Sequence, residues 1–297
     1  MANAQQHKAD RKVRTLAEYI AAVAAARQRL TQDSNFAPVW YRGHRVSAWE
    51  LRPTLLRDSL DRESERELLR DFKLRAGYFL PRLPKHDLDW IYVMRHHGIP
   101  TRILDWSENP LIALYFALHE SKGDVPAAVW AFDPWALNQL SSSIGQKSIP
   151  TVVIGGKMEK YVLHERPGQV VRRVKAKAPA AFRPEHAIGR AVGQAGMGTV
   201  HGQNDTPLES IAAVRSRMLK IEIEAGSCAA MFRELFDAGT TASTIFPDLD
   251  GLAADLSYRY LHRSTENPEL SPSVKSRSRL AGRQPSSGAA GRSRKRK

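Results

Sequence analysis

The nine residues Pro110–Leu118, PLIALYFAL, constrain this chain more than any other stretch. They hold no charged side chain, so a helix built from them is apolar nearly all round and must be buried. Its start is well punctuated: Pro110 suits the first helical position, and Asn109 before it is the natural cap. Within residues 95–118 (RHHGIPTRILDWSENPLIALYFAL), a polar loop carrying His, Arg, Asp, Trp and Ser runs straight into this helix. Asp105, Trp106 and Ser107 then stand where a loop meets a helix N-terminus, whose unpaired backbone N–H groups suit anions.

At 297 residues and 42% apolar content, the chain can bury one substantial core, and nothing in it demands a second. The formal charge of +14 resembles a nucleic-acid signal until it is located. Ser271–Lys297 carries nine Lys or Arg and no acid, which leaves 36 basic against 31 acidic residues elsewhere. This Ser-, Gly-, Pro- and Arg-rich tail is expected to be disordered. Two roles are open to it: a solvated tail, or a sequence-blind, salt-sensitive tether to nucleic acid or another anionic surface. The lone cysteine, Cys228, excludes an intramolecular disulfide framework and a Cys-rich zinc site, and fits a reducing compartment. No apolar stretch approaches the roughly 18 residues of a membrane span. The expectation is a soluble, cytoplasmic protein with no membrane partner.

Residues 1–12 read as a flexible lead-in, 13–262 as the folded domain including an N-terminal helix, and 263–297 as the basic tail. Leu16, Tyr19, Ile20, Val23 and Ala24 recur at helical spacing. Val39–Arg42 reads as a short strand ended by Gly43, with Arg42 and Trp40 on one face and Tyr41 on the other. Residues 63–79 and 87–97 read as helices, the second opened by Asp87 and stopped by Gly98. Ala127–Phe132 is a strand closed by Asp133-Pro134, and Met218–Ala225 alternates as a half-buried strand does. A helix over 228–238 ends at Gly239, Thr244–Phe246 reads as a short strand, and Pro247 opens a last helix. Leu249, Leu252, Ala253, Leu256 and Tyr260 form the apolar face of that helix. Residues 141–210 carry no assignment beyond a candidate strand at Thr151–Ile154. Without a regular βαβ rhythm, the class is α+β: one mixed domain with a small central sheet flanked by helices.

Arg42, at a strand end beside a glycine, offers a fixed guanidinium whose fork suits phosphate or carboxylate. A structural ion pair with a carboxylate such as Asp105 is equally open. Arg102, beside Thr101 in the loop, is a second phosphate candidate with the same alternative. Trp106 reads as a stacking ring or as core, and Ser107 as a ligand contact or a turn cap. His97 falls on the apolar face of its helix and reads as a core histidine, while His96 and His44 are freer to face a cleft. No histidine has metal-ligand spacing, so no metal is expected. Asp248 and Asp250 flank the start of the last helix, where carboxylates cap or act as base or charge stabiliser. Arg190 and Gln194 are further candidates to line the cleft. No nucleophile elbow or phosphate loop occurs.

Trp40-Tyr41-Arg42-Gly43-His44, together with residues 95–118, resembles the FRG domain family, named for a Phe-Arg-Gly motif. The likeness extends to Gly189-Arg190, to Gln194-Ala195-Gly196 and to Ile245–Leu252, so it covers about residues 35–262. Tyr41 stands for the family's usual Phe, and His44 where Gln is more frequent. The order of motifs is also similar to that of the ADP-ribosyltransferase superfamily: an early Tyr-Arg-Gly, a Ser-containing segment before an Ala- and Phe-bearing helix, then a late acid. That resemblance implies NAD as a substrate and transfer of ADP-ribose. In it Arg42 clamps the diphosphate, Ser107 orients the cofactor, and Asp248 or Asp250 stabilises the oxocarbenium-like state. Gly43, His44, Thr101, Arg102, Asp105, Trp106, Arg190 and Gln194 would line the nucleotide site. The alternative is a non-catalytic module that binds a nucleotide, a nucleic-acid end or a phosphorylated partner, in a setting such as host defence against phage.

Overall fold

The computed structural model describes residues 8–31, 37–57, 62–80, 82–140, 149–150, 158–162, 165–166, 169–170, 174–184 and 196–262. Helix α5, Pro110–Leu118, is enclosed as its composition demands, and Asn109 caps it by accepting a hydrogen bond from the Leu111 N–H at 2.9 Å. Helix α1 (Leu16–Leu30), capped by Thr15, and the helix Cys228–Asp237 pack beside it. Together they cover one face of a mixed sheet.

The strands in chain order are β1 (Arg11–Val13), β2 (Trp40–His44), β3 (Ile103–Ser107), β4 (Ala127–Phe132), β5 (Glu165–Arg166), β6 (Gln169–Val170), β7 (Ala180–Phe182), β8 (Gly196–Val200) and β9 (Met218–Ile223). Seven of them form one sheet in the order β1-β9-β4-β2-β3-β8-β7, and β5 and β6 form a separate ribbon. Neighbours are antiparallel except β1 and β9. Side chains alternate between two cores: Tyr41, Val129, Ala131, Leu219 and Ile221 face α1 and α5, while Trp40, Leu104, Trp106, Trp130 and Phe132 face the other way. Burial on both faces is why β4 reads AAVWAF with no polar position. Beyond the short helix α2 (Thr54–Arg57), a third cluster packs α3 (Arg62–Ala76) and α4 (Asp87–His96) against Ile103, Phe182 and Val200.

The α+β class holds, with a sheet larger than the sequence implies. Four of its strands escape the pattern for local reasons. Residues 11 and 12, read as lead-in, join Val13 in a strand that pairs with Ile221–Ile223. Residues 103–107, read as loop, form a central strand whose Asp105 and Ser107 break the apolar alternation. Strand β7 is three residues long, and β8 carries glycines that dilute β propensity. Gly198 is required there, since a Cβ would lie 2.5 Å from the Phe182 ring. Thr244–Phe246 is not a strand: Thr241 and Thr244 form a capping box that starts the helix Ala242–Ile245.

The last helix, Leu249–Ser257, inverts its expected packing. It buries Gly251 and Asp255 and leaves Leu249, Leu252 and Leu256 exposed. Gly251 sits so close to the preceding turn that a Cβ would meet the Phe246 carbonyl oxygen at 2.0 Å. Asp255 is held by the hydroxyls of Ser243 and Thr241, at 2.6 and 3.1 Å. Polar and steric fit on that face therefore outweighs the apolar stripe. No helix of the described residues is long and apolar enough to cross a membrane.

Candidate functional site

β2 pairs with β4 along all five residues but shares only Tyr41 and Ser107 with β3. Beyond that pair the two strands part, and Arg42 fills the opening. Its Nη1 donates to the Asp105 carbonyl oxygen at 2.6 Å and its Nε to His44 Nε2 at 3.3 Å. Gly43 fixes the position of β2, because a Cβ there would lie 2.0 Å from Ala113 O and 2.6 Å from Ala117 N. The strand thus rests on the backbone of α5. Ser107 Oγ accepts from the Asn109 N–H at 3.0 Å and begins the turn into that helix.

A cavity of about 460 Å³ opens at this parting. Arg42, His44, Arg95, His96, Asp105 and Ser107 line its buried part, and Trp49, His119 and Glu120 stand at its exposed rim. Asp105 Oδ2 accepts from Arg95 Nε at 2.9 Å. Burial pushes the Asp105 carboxyl up, but Arg95, Arg42 and His96 together hold it below its ordinary value. Burial draws Arg42 down to about 10, so it remains a cation at neutral pH. Burial, then the Arg42 charge, holds His44 well below its ordinary value. His44 is therefore neutral, and because its Nε2 accepts from Arg42 its proton lies on Nδ1.

The cleft carries an excess of positive charge. Arg42, Arg45, Arg52, Arg57 and Arg95 line it against Glu50, Asp105 and Glu120. Each of those carboxylates is paired: Glu50 with Arg52 at 3.4 Å, Asp105 with Arg95, and Glu120 with Arg45 at 2.7 Å. Arg42 has no carboxylate within ion-pair distance among the described residues. Its partners are a neutral ring and a carbonyl, which leaves Nη2 available to an anion. Arg57, which donates to Thr54 Oγ1 at 3.0 Å, lines the same cleft.

Of the residues singled out in the sequence, Arg42, Gly43, His44, His96, Asp105, Trp106 and Ser107 meet here. Trp106 is part of the wall: its indole N–H donates to Thr199 Oγ1 at 3.0 Å and its ring packs on Phe132. Thr101 and Arg102 lie elsewhere, in the core. Arg102 is 1% exposed, with Nε on Glu65, Nη1 on His201 O at 3.2 Å and Nη2 on Tyr161 O at 2.7 Å. It is a structural ion pair and presents no surface to a phosphate. Asp248 caps the last helix, accepting from the Gly251 N–H at 2.9 Å, and Asp250 lies in that helix's first turn. Neither lines the cleft. His97 is exposed at the C-cap of α4 rather than in the core, because the helix ends one residue earlier. Arg190 and Gln194 lie outside the described residues.

Arg95, Trp49, His119 and Glu120 are lining residues that the sequence did not single out as candidates. Arg95 had a signal, since it opens the same Arg-His-His-Gly run as His96. Among the described residues, no group of three or more His, Cys, Asp or Glu could hold a metal ion.

Residues 37–124 match the family model of the FRG domain. Every residue that lines the cleft falls within that span, whereas Arg190, Gln194, Asp248 and Asp250 fall outside it. Neither a curated protein nor a solved structure matches the chain.

Proposed function

We propose that this chain, which carries an FRG domain over residues 37–124, binds a phosphate-bearing nucleotide where β2 and β3 part. The observation that carries the proposal is Arg42: a cation fixed in the sheet, facing a cavity, with no carboxylate among the described residues within ion-pair distance, since nearby Asp105 pairs with Arg95 instead. Burying a cation without a carboxylate in contact costs free energy that a bound phosphate recovers, through charge-assisted hydrogen bonds to the guanidinium fork. A cavity of about 460 Å³ is of the size that holds small ligands and cofactors. NAD is the leading candidate, and ADP-ribose is the fragment that keeps its diphosphate.

Binding is better supported than transfer. ADP-ribose transfer calls for a carboxylate beside the scissile glycosidic bond, and both late aspartates that would supply it lie outside the cleft. A module that recognises the nucleotide without turning it over needs only the residues that line the cavity. Calorimetric titration with NAD and with ADP-ribose tests the proposal. Wild type should bind, and Arg42→Ala should lose roughly 10- to 100-fold in affinity, the worth of one or two hydrogen bonds to a charged group. Equal affinity in the two proteins would overturn it. Free nicotinamide released from NAD by wild type and not by Arg42→Ala would restore the transferase reading.

A further inference from the structure

We infer that Glu120 selects the nucleoside end of the ligand, its carboxylate accepting a hydroxyl or amino hydrogen that a bare polyphosphate lacks. The inference rests on the nucleotide reading of the cleft and adds to it which end points outward. Helix α5 ends with His119 as its C-cap, and Glu120 follows with φ of 58°. Among the described residues it is the one non-glycine with positive φ; Gly98, Gly123 and Gly239 hold the others. A helix that ends this way normally places glycine or asparagine at that position, because a Cβ in the left-handed region crowds the backbone. Strain of this kind persists where the side chain is needed.

That side chain stands at the rim of the cavity. Its Oε2 is 2.7 Å from Arg45 Nη1 and its Oε1 is 3.7 Å from His119 Nε2. The Arg45 guanidinium in turn lies 5.8 Å from the centre of the Trp49 ring. An exposed ion pair contributes little to stability, so pairing with Arg45 alone does not account for a strained backbone. A paired carboxylate still accepts further hydrogen bonds, and this one offsets the Arg45 cation that would otherwise draw phosphate to the mouth. The cleft therefore has two unlike ends: Arg42 deep in the strand opening for an anion, and Glu120 with the Trp49 ring at the mouth for a donor-bearing, planar group. A nucleotide matches both ends, and inorganic pyrophosphate matches only the first.

Glu120→Gly separates strain from recognition. Relief of the left-handed strain should raise Tm by about 2–4 °C, the shift that a change of this order gives in a domain of this size. ADP-ribose affinity should fall at least 10-fold in Glu120→Gly, with inorganic pyrophosphate bound at least as tightly as by wild type because Arg45 loses its carboxylate partner, and the ADP-ribose affinity of Glu120→Gln should lie between those of wild type and Glu120→Gly. Unchanged ADP-ribose affinity in Glu120→Gly would overturn the inference and leave the nucleotide site standing. Loss of both probes would also overturn it, by making Glu120 a support of the whole cleft, and a lower Tm would remove its basis in strain. Failure of wild type to bind either probe would overturn the nucleotide site itself.

Discussion

Two arginines, one within β2 and one just before β3, stand 60 residues apart in sequence and do opposite things. Arg102 follows the buried loop Thr101 and is sealed by Glu65 and by the carbonyls of Tyr161 and His201. Arg42 stands where β2 leaves β3, next to a neutral histidine and one carbonyl, with the rest of its guanidinium facing a cavity. Each lies near a histidine whose pKa burial depresses, His201 for Arg102 and His44 for Arg42. The lesson is that charge compensation, rather than the arginine or its local sequence, separates a cation sealed in the core from one that faces a cavity.

The largest effect should come from the sealed arginine. Glu65→Ala strands the Arg102 charge in the core and should cost about 3–5 kcal/mol of folding stability in urea titration, the range for breaking a buried pair from one side. A cost below about 1 kcal/mol would mean that water reaches Arg102, and the contrast with Arg42 would collapse.

Acid titration comes next. His201 is held down to about 4 by burial, against 6.5 in the unfolded chain. Because its folded value is depressed, the unfolded chain takes up the proton first; stability is whole above pH 6.5 and declines as pH falls from there toward 4. The loss from His201 should approach about 3 kcal/mol, from roughly 1.4 kcal/mol per pKa unit. His44 contributes with the same sign. A bound anion beside Arg42 should lift the His44 titration and leave His201 unmoved, which NMR of the ring protons can read for each site. Equal shifts at both would erase the distinction between the two environments.

The smallest of the three is Gly43→Ala. Its methyl would meet the α5 backbone, and parting β2 from that helix should cost about 1–3 kcal/mol by thermal denaturation. Ligand affinity should fall with it, since the same contact sets where Arg42 points. Full affinity in a folded Gly43→Ala protein would show that the strand can shift without disturbing the cleft.

Much of the fold is legible in the sequence where one physical signal dominates. The composition of Pro110–Leu118 fixes a buried helix, Asn109 fixes its start, and the alternation in residues 40–44 places Arg42 opposite Tyr41. The site is legible only where its residues are close in sequence. The two arginines carry the same local signal, and what distinguishes them is Glu65, in a helix whose run RESERELLRDF does not reveal which acid turns inward. β3 is hidden for a related reason: Asp105 and Ser107 look like loop residues because they serve the cleft. The stripe Leu249, Leu252, Leu256 looks like a core face, but the close contact at Gly251 and the hydroxyl partners of Asp255 decide the packing instead. Glu120 did leave a trace, in the absence of glycine where α5 has to end.

The most direct test of the cation at the strand opening is a crystal structure of the full chain with ADP-ribose. The diphosphate should lie within hydrogen-bond distance of the Arg42 guanidinium, between β2 and β3, with the adenosine directed toward Trp49 and Glu120. A diphosphate bound away from that opening, with Arg42 still turned to His44 and the Asp105 carbonyl alone, would contradict it.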